Sequence, residues 1–490
     1  MMFLLYKKYT TDNSLLVCKL NRMENRIMQL KEGFIKDTLR FFKNSLPLSL
    51  RKKRKYMRIY RDVLKHLHES QYYDSTEIKK RQLNELQKIV DYSYNNVPYY
   101  KTLFDNIGLS PSDIKSLDDI VKIPYITKEI IVKEGDKLLS NQYKKNKLTM
   151  VQTGGTTGTP VKFYFEPTQH DAINDAYVDF IYSRIGYKKN ESVVIFRDNP
   201  IINKNIKVEN NVYWKKNPGT KQLWFSVYFL TNKYFPLYFE KIKNHNPKWI
   251  ISYPHALYNI CRYIKESSNN PFKSLKGIIF MSENIYPHQK KLFDEVFPSI
   301  PKLSVYGHTE MGCIAGTCEQ SFKYHIQHEF GISEFLDSDF GMHELVTTGF
   351  HNYAMPLLRY KTSDLFKISN SKCNCERGYM LIDDIEGRLQ GLLYTFDDRP
   401  ISDNSLDFPD SLEDVFAFVE KYQFVQEING LCDLNVVPRE GFTEDHKKRL
   451  EMEISKKFQN GIIVHVKCVD SIPKTAHGKE RLVIQHMKKF

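Results

Sequence analysis

Apolar residues recur at Leu20, Ile27, Phe34 and Phe41, every seventh position, with Met23 and Leu30 beside them, and predict a helix across residues 20–42. Pro47 and the basic run Arg51-Lys-Lys-Arg-Lys55 follow it. The segment reads either as a surface helix with a solvated turn or as an amphipathic arm suited to anionic lipid. Residues 61–145 are patterned mostly as helices: Asp91–Tyr100 ends in Val97-Pro98-Tyr99-Tyr100, a helix exit, and short helices are expected at 116–120 and 127–133 around Pro124. The character changes at residue 148. Leu148–Gln152 is β-prone, a Thr/Gly-rich loop follows, and Val161–Phe165 is a second strand. Through 170–310 helical stretches alternate with short apolar runs at Val193–Phe196, Trp249–Ser252, Gly277–Met281 and Leu303–Val305, the pattern of an α/β sheet. Strands resume in 340–395. The final hundred residues read β-β-α-β, with strands at Tyr422–Ile428, Cys432–Val437 and Ile462–Val469 and a helix at Glu444–Phe458, a small α+β unit.

Length changes this picture only by requiring more than one domain in 490 residues. Charge changes it more. The chain carries a net +14, but residues 1–60 hold 15 basic and 4 acidic side chains, a net of +11 that leaves about +3 for the rest. The basic character therefore belongs to an N-terminal arm, and without an RRM, zinc-finger or helix-turn-helix signature a nucleic-acid binder is disfavoured. Eight cysteines are too few for a disulfide-stapled secreted domain of this length. No run of 18 apolar residues predicts a membrane-spanning helix, and Met1–Leu5 is too short for a signal-peptide core. A cytoplasmic protein is expected, with Met23 and Met28 as alternative starts and, through residues 1–60, peripheral contact with the inner membrane.

Several segments have the residue types of a chemical site. In Thr153-Gly-Gly-Thr-Thr-Gly-Thr-Pro160, glycines expose backbone N–H groups and threonines add hydroxyls, a composition that suits phosphate oxygens as well as it suits a flexible hairpin. No Gly-Lys-Ser/Thr follows, so it is not a Walker A loop. In Ser304-Val-Tyr-Gly-His-Thr-Glu310 an aromatic ring can stack on a purine and a carboxylate can hold Mg²⁺, although a strand cap with a surface Glu fits too. Arg359-Tyr-Lys-Thr-Ser-Asp364, Asp384-Ile-Glu-Gly-Arg388 and Ile472-Pro-Lys-Thr-Ala-His-Gly-Lys479-Glu-Arg481 are weak alone.

In this order and spacing the five segments resemble the adenylate-forming (acyl-CoA synthetase-like) superfamily, and in particular its phenylacetate–CoA ligase branch and the capsule-biosynthesis, CapK-like relatives. Val97–Tyr100, Pro124-Tyr-Ile-Thr-Lys128 and Met281-Ser-Glu283 add to the likeness, which runs from about residue 60 to the C-terminus. The resemblance implies an α/β fold, with a large adenylate-forming domain of mixed sheets over 61–388 and a small mobile α+β domain over 389–490 that carries the catalytic lysine; residues 1–60 stand apart as the basic arm. It implies that Thr153, Gly154, Gly155, Thr156, Thr157 and Gly158 cradle the ATP phosphates, with Thr156 among the catalytic groups. Tyr306 and Gly307 would line the adenine, with Ser282 and Glu283 on its other side, and Thr309 would be a further cofactor-binding residue. Glu310 would bind Mg²⁺, Asp364 would hold the ribose hydroxyls, Arg388 would stand at the hinge, and Lys479 would bridge the carboxylate and α-phosphate.

The activity so implied is ATP-dependent activation of a small carboxylic acid to an acyl-adenylate, followed by thioester formation with coenzyme A, in capsule or surface-polysaccharide biosynthesis. The alternatives are direct transfer to an amine or hydroxyl of a sugar-type acceptor, or a non-catalytic nucleotide-binding homologue. Three positions depart from the family pattern: Gly154 stands where Ser is usual in the loop, Val161 precedes Lys162 where a Lys is usual, and Gly387-Arg-Leu-Gln-Gly391 ends in Gly where an Asp pivot is usual. Cys318, His325, Cys373 and Cys375 form a Cys-x6-His plus Cys-x-Cys set whose soft donors would suit a structural Zn²⁺, set against buried thiols and a chance turn.

Overall fold

The computed structural model describes residues 54–152, 161–197, 213–227, 229–230, 232–338, 342–388, 391–401, 410–458, 460–473 and 481–486. The helix expected at 20–42, the Thr/Gly loop at 153–160 and Lys479 lie outside these residues.

Three helices lead in: α1 (Arg54–Ser70), α2 (Ser75–Asn96) and α3 (Pro98–Ile107). Asp74 caps α2 by accepting the amides of Thr76 and Glu77, and Leu86, Ile89, Val90 and Ser93 bury one helical stripe. Val97-Pro98 is an exit and an entrance at once, since Val97 ends α2 and Pro98 fills the first turn of α3, where a missing N–H costs nothing. The expected short helices are a 3₁₀ turn at Leu117–Lys122 and α4 (Lys128–Glu134).

A hairpin of β1 (Thr149–Gln152) and β2 (Lys162–Phe165) flanks the Thr/Gly segment and leads into α5 (Pro167–Ser183). Helix α1 is tied to α5 by Tyr56 to Asp175 at 2.5 Å and Tyr60 to Asp179 at 2.9 Å.

Among the described residues the main sheet has 12 strands. Its central part is built from β3 (Val193–Phe196), β4 (Trp214–Lys216), β5 (Gln222–Phe225), β6 (Trp249–Ser252), β7 (Gly277–Met281) and β8 (Lys302–Gly307). Strands β5, β3, β6, β7 and β8 lie side by side in parallel. Helices α6 (Phe235–His245), α7 (Pro254–Ser267) and α8 (Pro287–Val296) make the crossovers from β5 through to β8. Apolar runs such as Val193–Phe196 are buried along their whole length, as parallel strands covered on both faces must be. Gly277 is required by a close approach: a Cβ there would collide with the Trp249 ring.

Past β8 the sheet turns antiparallel through β9 (Ile314–Gly316), β10 (Tyr324–Ile326), β11 (Gly331–Asp337), β12 (His343–Gly349), β13 (Tyr360–Ile368) and β14 (Met380–Arg388). Arg359, 4% exposed, clamps this half to the N-terminal segment. Its guanidinium pairs with Glu334 and donates to the carbonyls of Val121 and Ile123. Beneath the leading helices lies a polar cluster in which the Ser70 hydroxyl donates to Glu329. Tyr177 and His351 pair nearby at 3.2 Å. Burial pushes the Glu329 carboxyl up to about 7 and the His328 and His351 imidazoles down to about 4.

After a short pair, β15 (Leu393–Tyr394) and β16 (Pro400–Ile401), and a single helical turn α9 (Glu413–Phe416), comes a separate four-stranded sheet. It comprises β17 (Val419–Ile428), β18 (Leu431–Pro438), β19 (Ile463–Cys468) and β20 (Val483–Gln485), with α10 (Glu444–Lys457) before β19. The predicted β-β-α-β order is present, and β20 is an addition that three residues of apolar pattern do not announce. This unit has its own apolar core around Phe424, Leu434, Leu450 and Val464.

Candidate active site

Tyr253–His255 and Ser282–Glu283 follow directly on the C-terminal ends of β6 and β7, and Tyr306–Glu310 runs through the C-terminal end of β8, three adjacent parallel strands. In open α/β sheets that edge is where ligands bind, because loops and helix N-termini converge there. The topology thus brings together residues more than fifty positions apart.

The end of β8 and the turn after it are held from the antiparallel half of the sheet. The Tyr306 hydroxyl donates to Asp364 Oδ2 at 2.6 Å, and the Tyr360 hydroxyl to Glu310 Oε1 at 3.2 Å. Glu310 Oε2 lies 3.1 Å from His308 Nδ1. Asp364 is buried, and its amide donates to Thr362 Oγ1 at 3.0 Å. The ring of Tyr306 packs edge-on against Phe366, which leaves its plane fixed by a hydrogen bond at one end and an aromatic contact at its side. Met311 adopts φ +56°, and a Cβ at Gly312 would collide with Thr347, so this turn depends on its small residue. The segments 304–310 and 359–364 are therefore one polar group in space.

The β7 end is built differently. Ser282 takes φ +66° and turns the chain so that Glu283 faces His255. Both carboxylate oxygens reach His255 Nδ1, at 2.8 and 2.9 Å. Glu283, expected beside the adenine, is thus engaged with an imidazole on α7. Arg388 is the backbone partner of Asp364 across β13 and β14, which joins the expected hinge and ribose positions in one ladder. Gly307 and Thr309 flank His308 in the same turn. Of the other expected groups, Thr153–Gly158 and Lys479 fall outside the described residues, while Arg481, two positions after Lys479, is held by Gln423, which donates to its carbonyl at 2.8 Å.

A cleft separates this edge from the four-stranded sheet, with His255, Glu283 and Tyr258 on one wall and Lys421, Tyr422 and Arg481 on the other. Arg262 on α7 crosses toward the second wall, donating to the carbonyls of Phe416 and Glu420.

The soft-donor set also converges. Cys318 Sγ lies 3.6 Å from Cys373 Sγ and His325 Nε2 lies 3.1 Å from Cys375 Sγ, with all four ligand atoms within 4.8 Å of one another. Tetrahedral zinc with bonds of about 2.3 Å to sulfur places its ligand atoms at comparable spacings. His325 Nδ1 lies 2.9 Å from the Lys323 carbonyl, which directs the Nε2 lone pair at the cluster, and burial pushes the imidazole down to about 4 so that it stays neutral. These residues fit zinc, and they join the loop after β9 to the loop before β14.

Sequence reasoning missed Tyr360 as the support of Glu310. Its hydroxyl inside Arg359–Asp364 was the only signal, and nothing in the sequence tells a hydroxyl that faces a carboxylate from one that packs.

Residues 404–486 match the family described as CapK C-terminal domain. Over 449 residues the chain is 27% identical to protein CapK of Staphylococcus aureus, covering 89% of this chain and 94% of that one. It is 22% identical to phenylacetate–coenzyme A ligase of Thermus thermophilus, covering 65% of this chain and 72% of that one. Among solved structures, 2-hydroxyisobutyryl-CoA ligase in its postadenylation state superposes with a TM-score of 0.66 at 18% identity, covering 91% of this chain and 94% of the other.

Proposed function

We propose that this chain, a homologue of CapK and of the phenylacetate–coenzyme A ligases with the fold of the adenylate-forming ligases, activates a carboxylic acid with ATP and passes the acyl group to coenzyme A. The observation that carries the reading is the joining of Tyr306 to Asp364 and of Tyr360 to Glu310, which makes one polar site of two motif segments at the edge of a parallel sheet.

The reaction asks for what these residues offer. The acid's carboxylate attacks the α-phosphorus of ATP and pyrophosphate leaves, so two anions must be brought together and charge builds on the phosphoryl oxygens. Backbone N–H groups of Thr153–Gly158 are assigned to the phosphates. Asp364, an acceptor at both oxygens, is assigned to the ribose hydroxyls, and the plane of Tyr306 to the base with Gly307, Thr309 and Ser282 around it. Glu310 would hold Mg²⁺, which supplies positive potential beside the phosphates, and Tyr360 and His308 fix that carboxylate. Lys479 would bridge the carboxylate and α-phosphate, and Arg388 would stand at the hinge about which the small unit turns. Cys318, His325, Cys373 and Cys375 are assigned to a structural zinc away from the chemistry.

The 27% identity to CapK supports a place in capsule or surface-polysaccharide biosynthesis. No helix among the described residues is long and apolar enough to cross a membrane. The basic arm is assigned to the inner membrane face.

Carboxylate-dependent ATP–pyrophosphate exchange over a panel of aryl, short-chain and amino acids tests the central step. Exchange with at least one acid is expected, with Lys479→Ala lowering it at least a hundredfold while the far-UV circular dichroism stays unchanged. Undiminished exchange in that variant removes Lys479 from its role, and no exchange with any acid removes the adenylation reading.

A further inference from the structure

We propose that His255 is the proton acceptor of the acyl-transfer step, with Glu283 as the residue that positions its ring; the inference rests on the adenylate-forming reading above. His255 opens α7 directly after β6 and is 8% exposed. Its Nδ1 faces both oxygens of Glu283, an arrangement that keeps the proton on Nδ1. In the neutral ring the lone pair then sits on Nε2, the pattern by which a carboxylate orients a catalytic imidazole. His255 Nε2 is buried and has no hydrogen-bond partner among the described residues. A buried nitrogen left unpaired costs stability, and a site tolerates that cost where a ligand's donor completes it.

The position of His255 selects the step. His255 lines the cleft whose other wall is the four-stranded unit, so a donor entering between the two halves comes to this imidazole. His308 also pairs Nδ1 with a carboxylate and leaves Nε2 unpaired, but it sits in the turn beside Glu310 and does not line the cleft. The donor that suits His255 is an acceptor X–H, a thiol, amine or hydroxyl. Its X atom forms a bond to the acyl carbon and the carbon–oxygen bond to the nucleotide breaks. AMP leaves with that electron pair, and the proton of X–H passes to His255 Nε2 and then to solvent. The nucleophile is most reactive when it loses its proton as it attacks, which is the contribution of a positioned base.

The test separates the two half-reactions. With an acid that supports pyrophosphate exchange, full-length protein and His255→Ala are compared for exchange and for AMP release on adding coenzyme A, an amino sugar or a neutral sugar. We expect AMP release in the variant to fall about 10²-fold or more, exceeding any fall in exchange at least tenfold, and added imidazole to restore part of it. Equal losses in both half-reactions with no response to imidazole overturn the proposal, as does transfer at the parental rate. So does a parental protein that exchanges pyrophosphate but transfers to none of the three acceptors. A parental protein that does not exchange at all overturns the adenylation reading instead, so the two failures are distinct.

Discussion

Tyr306 and Asp364 are 58 positions apart, yet their side chains share one short hydrogen bond. Removing it is an economical probe of the site. Tyr306→Phe keeps the ring against Phe366 and frees the carboxylate from its fixed angle, at a cost of about 1 kcal/mol in stability. A KM for ATP raised several-fold with a smaller change in exchange rate is the expected kinetic outcome; an unchanged KM would remove Tyr306 and Asp364 from the nucleotide site. Glu329 offers a second probe of single-residue physics. Its carboxyl is raised from 4.5 to about 7 by burial. Between those values the unfolded chain gives up the proton while the folded chain keeps it, so stability falls as pH rises through that window. At most this amounts to roughly 3 kcal/mol. Glu329→Gln removes the titration and keeps an oxygen for the Ser70 hydroxyl. Its melting temperature should match the parent near pH 4.5 and exceed it by a few degrees near pH 8. A constant difference across pH would assign the effect to packing alone.

At the scale of elements, the Cys/His set is a clasp between two loops of the antiparallel half, reinforced by Arg377 to Glu319 at 3.0 Å and Lys323 to Asp383 at 2.6 Å. Metal analysis of protein prepared without chelator should return one zinc per chain. Cys373→Ala should lose that zinc and lower the melting temperature, and protein prepared with no zinc at all would dismiss the clasp as a metal site. The elements themselves were largely readable. Continuous apolar runs such as Val193–Phe196 announce parallel strands because nothing polar survives between two covering helical layers. The strand after Arg481 was unreadable because Leu482-Val483-Ile484 is too short to show a period. Site legibility divides in the same way. Tyr306, Asp364 and Glu310 stand in segments with an ordered spacing, whereas the pairing of Glu283 with His255 depends on a left-handed turn at Ser282 and on neighbouring strands, neither of which leaves a mark in sequence. Val97-Pro98 was half readable, since a proline that must end one helix also has the fixed φ that begins another.

At the scale of the molecule, the charge asymmetry and the docked helix α1 together define the arm. Tyr56 is 4% exposed and bonded to Asp175, so residues from 54 onward are fastened to the body. Removing residues 1–53 should abolish binding to anionic liposomes at low salt. A full-length protein that ignores such liposomes would dismiss the membrane role. The three tryptophans have a consequence of another kind. Trp214, Trp224 and Trp249 sit on β4, β5 and β6, all in one end of the main sheet. Intrinsic emission is thus a local reporter. It will follow the melting of the β4–β6 end of the main sheet and stay dark to events in the four-stranded unit, so a denaturation curve read by tryptophan emission and one read by backbone dichroism will coincide only if both halves come apart together.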